Sequence, residues 1–129
     1  MSAENVDLIR RIYDAWDREE SARDFIAEDV EYVNPSYAVE PGTRRGRASF
    51  RVVRETYEDF RVHIEEILDA GGDDVLVLAH YTASGRSSGI SLEGEHAYVW
   101  TVRGGQAVRF QWFQSHREAY KAVGMSPPK

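Results

Sequence analysis

His96, Tyr98 and Trp100 alternate along one run of the chain, His96-Ala97-Tyr98-Val99-Trp100. In a β-strand alternate side chains leave on the same face, so these three would stand side by side. An imidazole titrates close to neutrality and can act as acid or base. A phenol next to it can hydrogen-bond a carbonyl or enolate oxygen, which makes the pair material for general acid–base chemistry. The plainer alternative places His96 at the wet end of the strand and Tyr98 in packing, its hydroxyl satisfied. Asn34, in Val33-Asn34-Pro35, carries an amide able to orient a polar ligand. Asparagine before proline is equally at home closing a turn. Trp16, Tyr32, Phe60, Phe110 and Trp112 add aromatic surface for a flat or apolar ligand. Aromatic residues at regular spacing are more often plain core.

Other patterns carry less. His63-Ile64-Glu65 sets an imidazole and a carboxylate on one strand face, but no third metal ligand stands at suitable spacing, so no metal is expected. Gly85-Arg86-Ser87-Ser88-Gly89 has the letters of a nucleophile elbow without the strand-to-helix turn on a parallel sheet that the mechanism needs. Arg44, Arg45 and Arg47 could steer an anion, or pair with carboxylates such as Glu55, Glu58 and Asp59. No glycine-rich phosphate loop occurs, so no nucleotide cofactor is expected.

These residues sit in 129 positions, the size of one domain, expected over residues 1–125 with a frayed tail at 126–129. A net charge of −6 argues against nucleic acid and against an anionic membrane surface as partners. The absence of cysteine excludes disulfides, thiolate metal sites and cysteine nucleophiles. The polar, acidic start Met1–Asp7 is unlike a signal peptide, and the expected location is the cytoplasm.

The elements that must hold the candidate residues follow from periodicity. Ile9, Ile12, Tyr13 and Trp16 give the stripe of a half-buried helix, with Ser2 or Asn5 as cap. A short helix is expected over Ala22–Ala27, a short strand over Val30–Val33, and a loop over Ala38–Arg47. Helical spacing returns with Phe50, Val53, Tyr57 and Phe60. The period then changes to two, predicting strands at Val62–Leu68, Val75–Ser84, Ile90–Val102 and Ala107–Phe113, with glycine turns between them. Ser115 with Glu118 reads as a capping box and Gly124 as a stop for a last helix. The order predicts an α+β domain in which three N-terminal helices cover one face of a curved antiparallel sheet, leaving a cone that is a ligand pocket if side chains do not fill it.

Several stretches together resemble the SnoaL-like branch of the nuclear-transport-factor-2-like superfamily, which includes ketosteroid isomerases and polyketide cyclases. They are Ile12-Tyr13-Asp14-Ala15-Trp16, Glu28-Asp29-Val30-Glu31-Tyr32, Pro41–Arg47, Ala97–Gly105, Val108–Phe113, Arg117-Glu118-Ala119 and Val123-Gly124. The resemblance implies a cone-shaped, cystatin-like α+β barrel with a pocket at its open end, and a homodimer formed through the outer sheet face. It turns the His96, Tyr98 and Trp100 side toward that pocket. The family's proton-shuttling aspartate before proline is matched here by Asn34, its later hydrogen-bonding acid by Tyr98, and its helix tyrosine by Ile12, with Tyr13 beside it. Asparagine cannot hold a proton near neutral pH, so steroid-type isomerisation by that route is not expected. The resemblance thus implies a cofactor-free pocket for a small apolar or aromatic molecule, with His96, Tyr98 and Asn34 at its centre. A separate expectation is an interaction module that docks through His80, Thr82, Arg109, Gln111 and Phe113 on the sheet face.

Overall fold

The computed structural model describes residues 2–50, 59–84 and 91–127. Helix α1 spans Ser2–Asp17 and buries Ile9, Ile12 and Ala15, the stripe its spacing predicts. It starts at Ser2, so Asn5 lies inside the first turn instead of capping it. The helix expected over Ala22–Ala27 is instead a 3-10 turn, Arg23–Phe25, running directly into strand β1, Ile26–Asn34. Six residues are too few to hold a helix against a sheet that offers Ile26 a partner in Ala107.

Strand β2, Gly42–Arg45, lies where a loop is expected. It pairs with β1 at the edge of the sheet, from Glu31 opposite Arg45 to Asn34 opposite Gly42. A short, exposed edge strand made of Gly, Thr and Arg has no apolar alternation to betray it. The next four strands follow the period of two: β3 (Arg61–Asp69), β4 (Asp74–Ser84), β5 (Ser91–Arg103) and β6 (Gln106–Phe113). Helix α2, His116–Val123, ends the fold with both expected caps. The Ser115 hydroxyl accepts the Glu118 backbone N–H, and Gly124 turns the chain at φ 72°.

All six strands form one sheet in the order β2-β1-β6-β5-β4-β3. It is mixed, not antiparallel throughout, because β1 and β6 run parallel. The expected three N-terminal helices are also corrected. Among the described residues one α-helix is N-terminal and the other C-terminal. The helical spacing from Phe50 to Phe60 falls mainly on residues 51–58, outside the described residues, after a 3-10 turn at Arg47–Phe50. The Gly85–Gly89 turn lies outside them too.

The helices pack on opposite faces of the sheet. Against α1 lie Val75, Val77, Ala79, Tyr98, Trp100 and Phe110. Against α2 lie Leu76, Leu78, Ala97, Val99 and Phe113, packed with Ala119 and Tyr120. Phe113 is therefore buried beneath α2 and is no part of an exposed sheet patch. Among the described residues no helix is long and apolar enough to cross a membrane.

Candidate functional site

Strand β5 carries His96, Tyr98 and Trp100 on the α1 face, where pairing sets Tyr98 opposite Val77 on one side and Trp112 on the other. The His96 Nδ1 and the Tyr98 hydroxyl are 2.7 Å apart. Burial holds the imidazole down to about 4, so at neutral pH it is uncharged and carries one N–H. Burial also pushes the Tyr98 hydroxyl well above the usual phenol range, so it stays protonated. That hydroxyl has no other acceptor and donates to Nδ1, since leaving a buried O–H unpaired is costly. A neutral imidazole accepting at Nδ1 holds its proton on Nε2. The pair thus displays an N–H from His96.

Asn34, the last residue of β1, is oriented from β6. The Trp112 indole N–H donates to Asn34 Oδ1 at 2.6 Å, which fixes the amide with its NH2 turned away. Among the described residues neither that NH2 nor the His96 Nε2–H donates a hydrogen bond. Among the described residues no buried polar side-chain atom lacks a partner, so both groups reach accessible space. Trp112 links them, its ring 5.7 Å from that of His96. Phe60 and Tyr81 close the other side of His96, at 6.2 and 4.4 Å between ring centres. Opposite Tyr81 stands Gly94, where a Cβ would come within 3.2 Å of the Tyr81 ring. The glycine leaves the ring room to lie beside His96.

Below this cluster the other candidate residues pack on one another. Tyr13 lies between Trp16 and Tyr98, at 5.5 and 6.2 Å, filling space that the sequence leaves as hollow. The Trp100 indole N–H donates to the Tyr13 hydroxyl at 3.0 Å. Tyr32, Trp100 and Phe110 are buried, and Phe50 stacks on Trp100 and meets Tyr32 and Phe110 edge-on. Burial raises Tyr32 to about 12 and Tyr13 beyond that, so neither phenol titrates near neutral pH. Two surface hollows, of about 350 and 660 Å³, lie away from His96 and Asn34, and Tyr13 lines the first. The first is between α1 and β3 beside Arg10 and Glu66, the second between the start of α1 and the β5–β6 turn.

The structure therefore joins Asn34, His96, Tyr98, Phe60 and Trp112 in one cluster and sets Tyr13, Trp16, Tyr32, Trp100 and Phe110 beneath it. Tyr81 and Tyr37 border this cluster without being foreseen from the sequence. Tyr81 continues the alternation of Val75, Val77 and Ala79, so its face was readable, but its neighbour was not. Tyr37 follows the Asn34-Pro35-Ser36 turn, where no periodicity marks it. Two of the arginines pair with carboxylates, Arg44 with Glu40 and Arg45 with Glu31, while Arg47 donates to the Ile26 carbonyl. Asp59 pairs with Arg61, while Glu55 and Glu58 fall outside the described residues. On the α2 face His63 stacks on His80, which meets Glu65 at 3.3 Å.

Comparison with known proteins follows this geometry. The family model described as SnoaL-like domain matches residues 9–110. An NTF2-like protein from Burkholderia thailandensis is 25% identical at a TM-score of 0.75, covering 95% of this chain and 98% of its own. A putative SnoaL-like polyketide cyclase from Jannaschia sp. CCS1 is 19% identical at 0.72, covering 99% and 96%. TerC, co-crystallised with polyporic acid, is 20% identical at 0.71, covering 94% and 98%. No curated protein matches the chain.

Proposed function

The chain belongs to the SnoaL-like domain family, and from that premise we propose that the cluster of Asn34, His96, Tyr98, Phe60 and Trp112 is the mouth of a ligand site, where the chain binds a small, uncharged, ring-containing molecule and polarises a carbonyl oxygen of it. The observation that carries this reading is the His96–Tyr98 hydrogen bond, which leaves a neutral imidazole presenting Nε2–H beside aromatic rings. The Asn34 NH2, on an amide whose oxygen Trp112 holds, supplies a second donor. Two fixed N–H groups suit an oxygen on which negative charge develops, as in enolisation, cyclisation or hydration. One such donor contributes on the order of a hundred- to a thousandfold in rate. A histidine held near 4 is a poor proton acceptor, so its role is to donate to the oxygen, with the Tyr98 proton behind it. The likeness to a putative polyketide cyclase from Jannaschia and to TerC, co-crystallised with polyporic acid, agrees with a ring-shaped ligand.

Calorimetry and thermal shift with a panel of ring ketones, naphthols and steroids test the reading. A ligand should raise the melting temperature by mass action, and His96→Ala or Asn34→Ala should each weaken its binding roughly tenfold or more. Equal affinity in the parent and both variants would refute the assignment of this mouth.

A second reading is supported by the exposed part of the α2 face beyond the helix, where His63, Glu65 and His80 stand open. It makes this surface the contact between two copies of the chain, with His80 and Thr82 at its centre. Sedimentation of the parent and of His80→Glu tests it; a monomeric parent ends it.

A further inference from the structure

Tyr37 is a large, 44% exposed ring held by more contacts than its position in a turn explains. It lies in the connection between β1 and β2, two residues past Pro35. Its hydroxyl donates to Glu118 Oε2 on α2 at 2.6 Å. The Tyr37 hydroxyl oxygen in turn accepts the backbone N–H of Gln114, in the link from β6 to α2, at 2.8 Å. Its ring meets Trp112 edge-on at 6.2 Å and 80°. Desolvation and the neighbouring Glu118 carboxylate both push the Tyr37 hydroxyl up from its ordinary value, keeping it a donor. Glu118 is itself placed by its backbone bond to the Ser115 hydroxyl, in the first turn of α2. One phenol therefore ties the β1–β2 connection, the β6–α2 link and α2 to the indole that orients Asn34.

We propose that Tyr37 is a positioning residue and latch of the mouth, its hydroxyl bridge to Glu118 and Gln114 holding the β1–β2 connection against Trp112 so that Trp112 stays aligned on Asn34. The proposal rests on the mouth being the ligand site and adds how that site is kept set and how it opens. With the bridge made, the Trp112 N–H stays on Asn34 Oδ1 and the Asn34 NH2 keeps one direction. With the bridge broken, the connection lifts from Trp112, the amide turns freely and a bound molecule has a wider way out. Val39, a fully exposed apolar side chain on the same connection, leaves this segment little packing of its own to stay in place.

The latch has a readout that needs no ligand. In Tyr37→Phe, which keeps the ring and loses the bridge, and in Glu118→Ala, the Trp112 indole N–H should exchange with solvent roughly tenfold faster, the scale set by a hydrogen bond to a charged group. The Trp100 indole N–H, bonded to Tyr13, should be unchanged in the same spectra. Glu118→Gln, which still offers an oxygen acceptor, should restore most of the protection. With 1-tetralone as probe, the variants should release it roughly tenfold faster. Trp112 exchange that is the same in the parent, Tyr37→Phe and Glu118→Ala overturns the latch, as does faster exchange that Trp100 shares. Failure of 1-tetralone to bind the parent counts against the ligand reading, while the exchange result still decides the latch.

Discussion

The two halves of the α1 face treat their polar atoms in opposite ways. In the lower half, Trp100, Tyr13, Tyr32, Phe50 and Phe110 pack ring on ring, and the wholly buried Trp100 gives its indole N–H to Tyr13. In the upper half, Asn34 and His96 each bond one polar atom to a neighbour and, among the described residues, leave the other unbonded. Both halves are rich in rings. What separates them is the Asn34 and His96 pair, whose remaining N–H groups reach accessible space.

The largest break in that comparison is Trp100→Ala. It empties the centre of the lower half and leaves the Tyr13 hydroxyl without its donor, so unfolding in denaturant should show a loss of about 3–5 kcal/mol. The upper half should answer to pH instead. His96 sits at about 4 when folded against an ordinary 6.5, so the unfolded chain binds the extra proton in between. The stabilising effect of keeping it neutral is complete above pH 6.5 and is lost as pH falls toward 4. Over that window the parent should lose on the order of 2–3 kcal/mol more than His96→Gln, by denaturant melts at each pH. The smallest effect is expected of Gly94→Ala, whose Cβ meets the Tyr81 ring at 3.2 Å. It should cost under about 1 kcal/mol, an ordinary surface change, yet shift the His96 ring resonances as Tyr81 gives way.

How far these halves were legible follows from what a local pattern can carry. Strands β3 to β6 were readable because alternation along one strand reports its own two faces. The ends of α2 were readable because Ser115, Glu118 and Gly124 act within a few residues of each other. That Tyr98 shares a face with His96 and Trp100 followed from the same alternation, while the family resemblance supplied which face. The bond from Tyr98 to His96 did not follow, because spacing says two side chains share a face and not which atoms meet. Residues Tyr81 and Trp112 reach His96 across strands, and register is set by the whole sheet. Strand β2 exists only as a partner of β1, and the 3-10 turn at Arg23–Phe25 reflects a claim on Ile26 made by β6. In each case the deciding residue lies far along the chain.

The parallel pairing of β1 with β6 has a consequence for how the protein is made. During synthesis β1 emerges early and gains β2 on one side, but its other side waits for a strand about eighty positions later. Contacts that distant are slow to form and leave an open strand margin liable to stray association meanwhile. Asn34 and Trp112, 78 positions apart, sit across this last seam. Their bond forms only when the sheet is stitched shut, so a chain that can hold Asn34 in place has already finished folding.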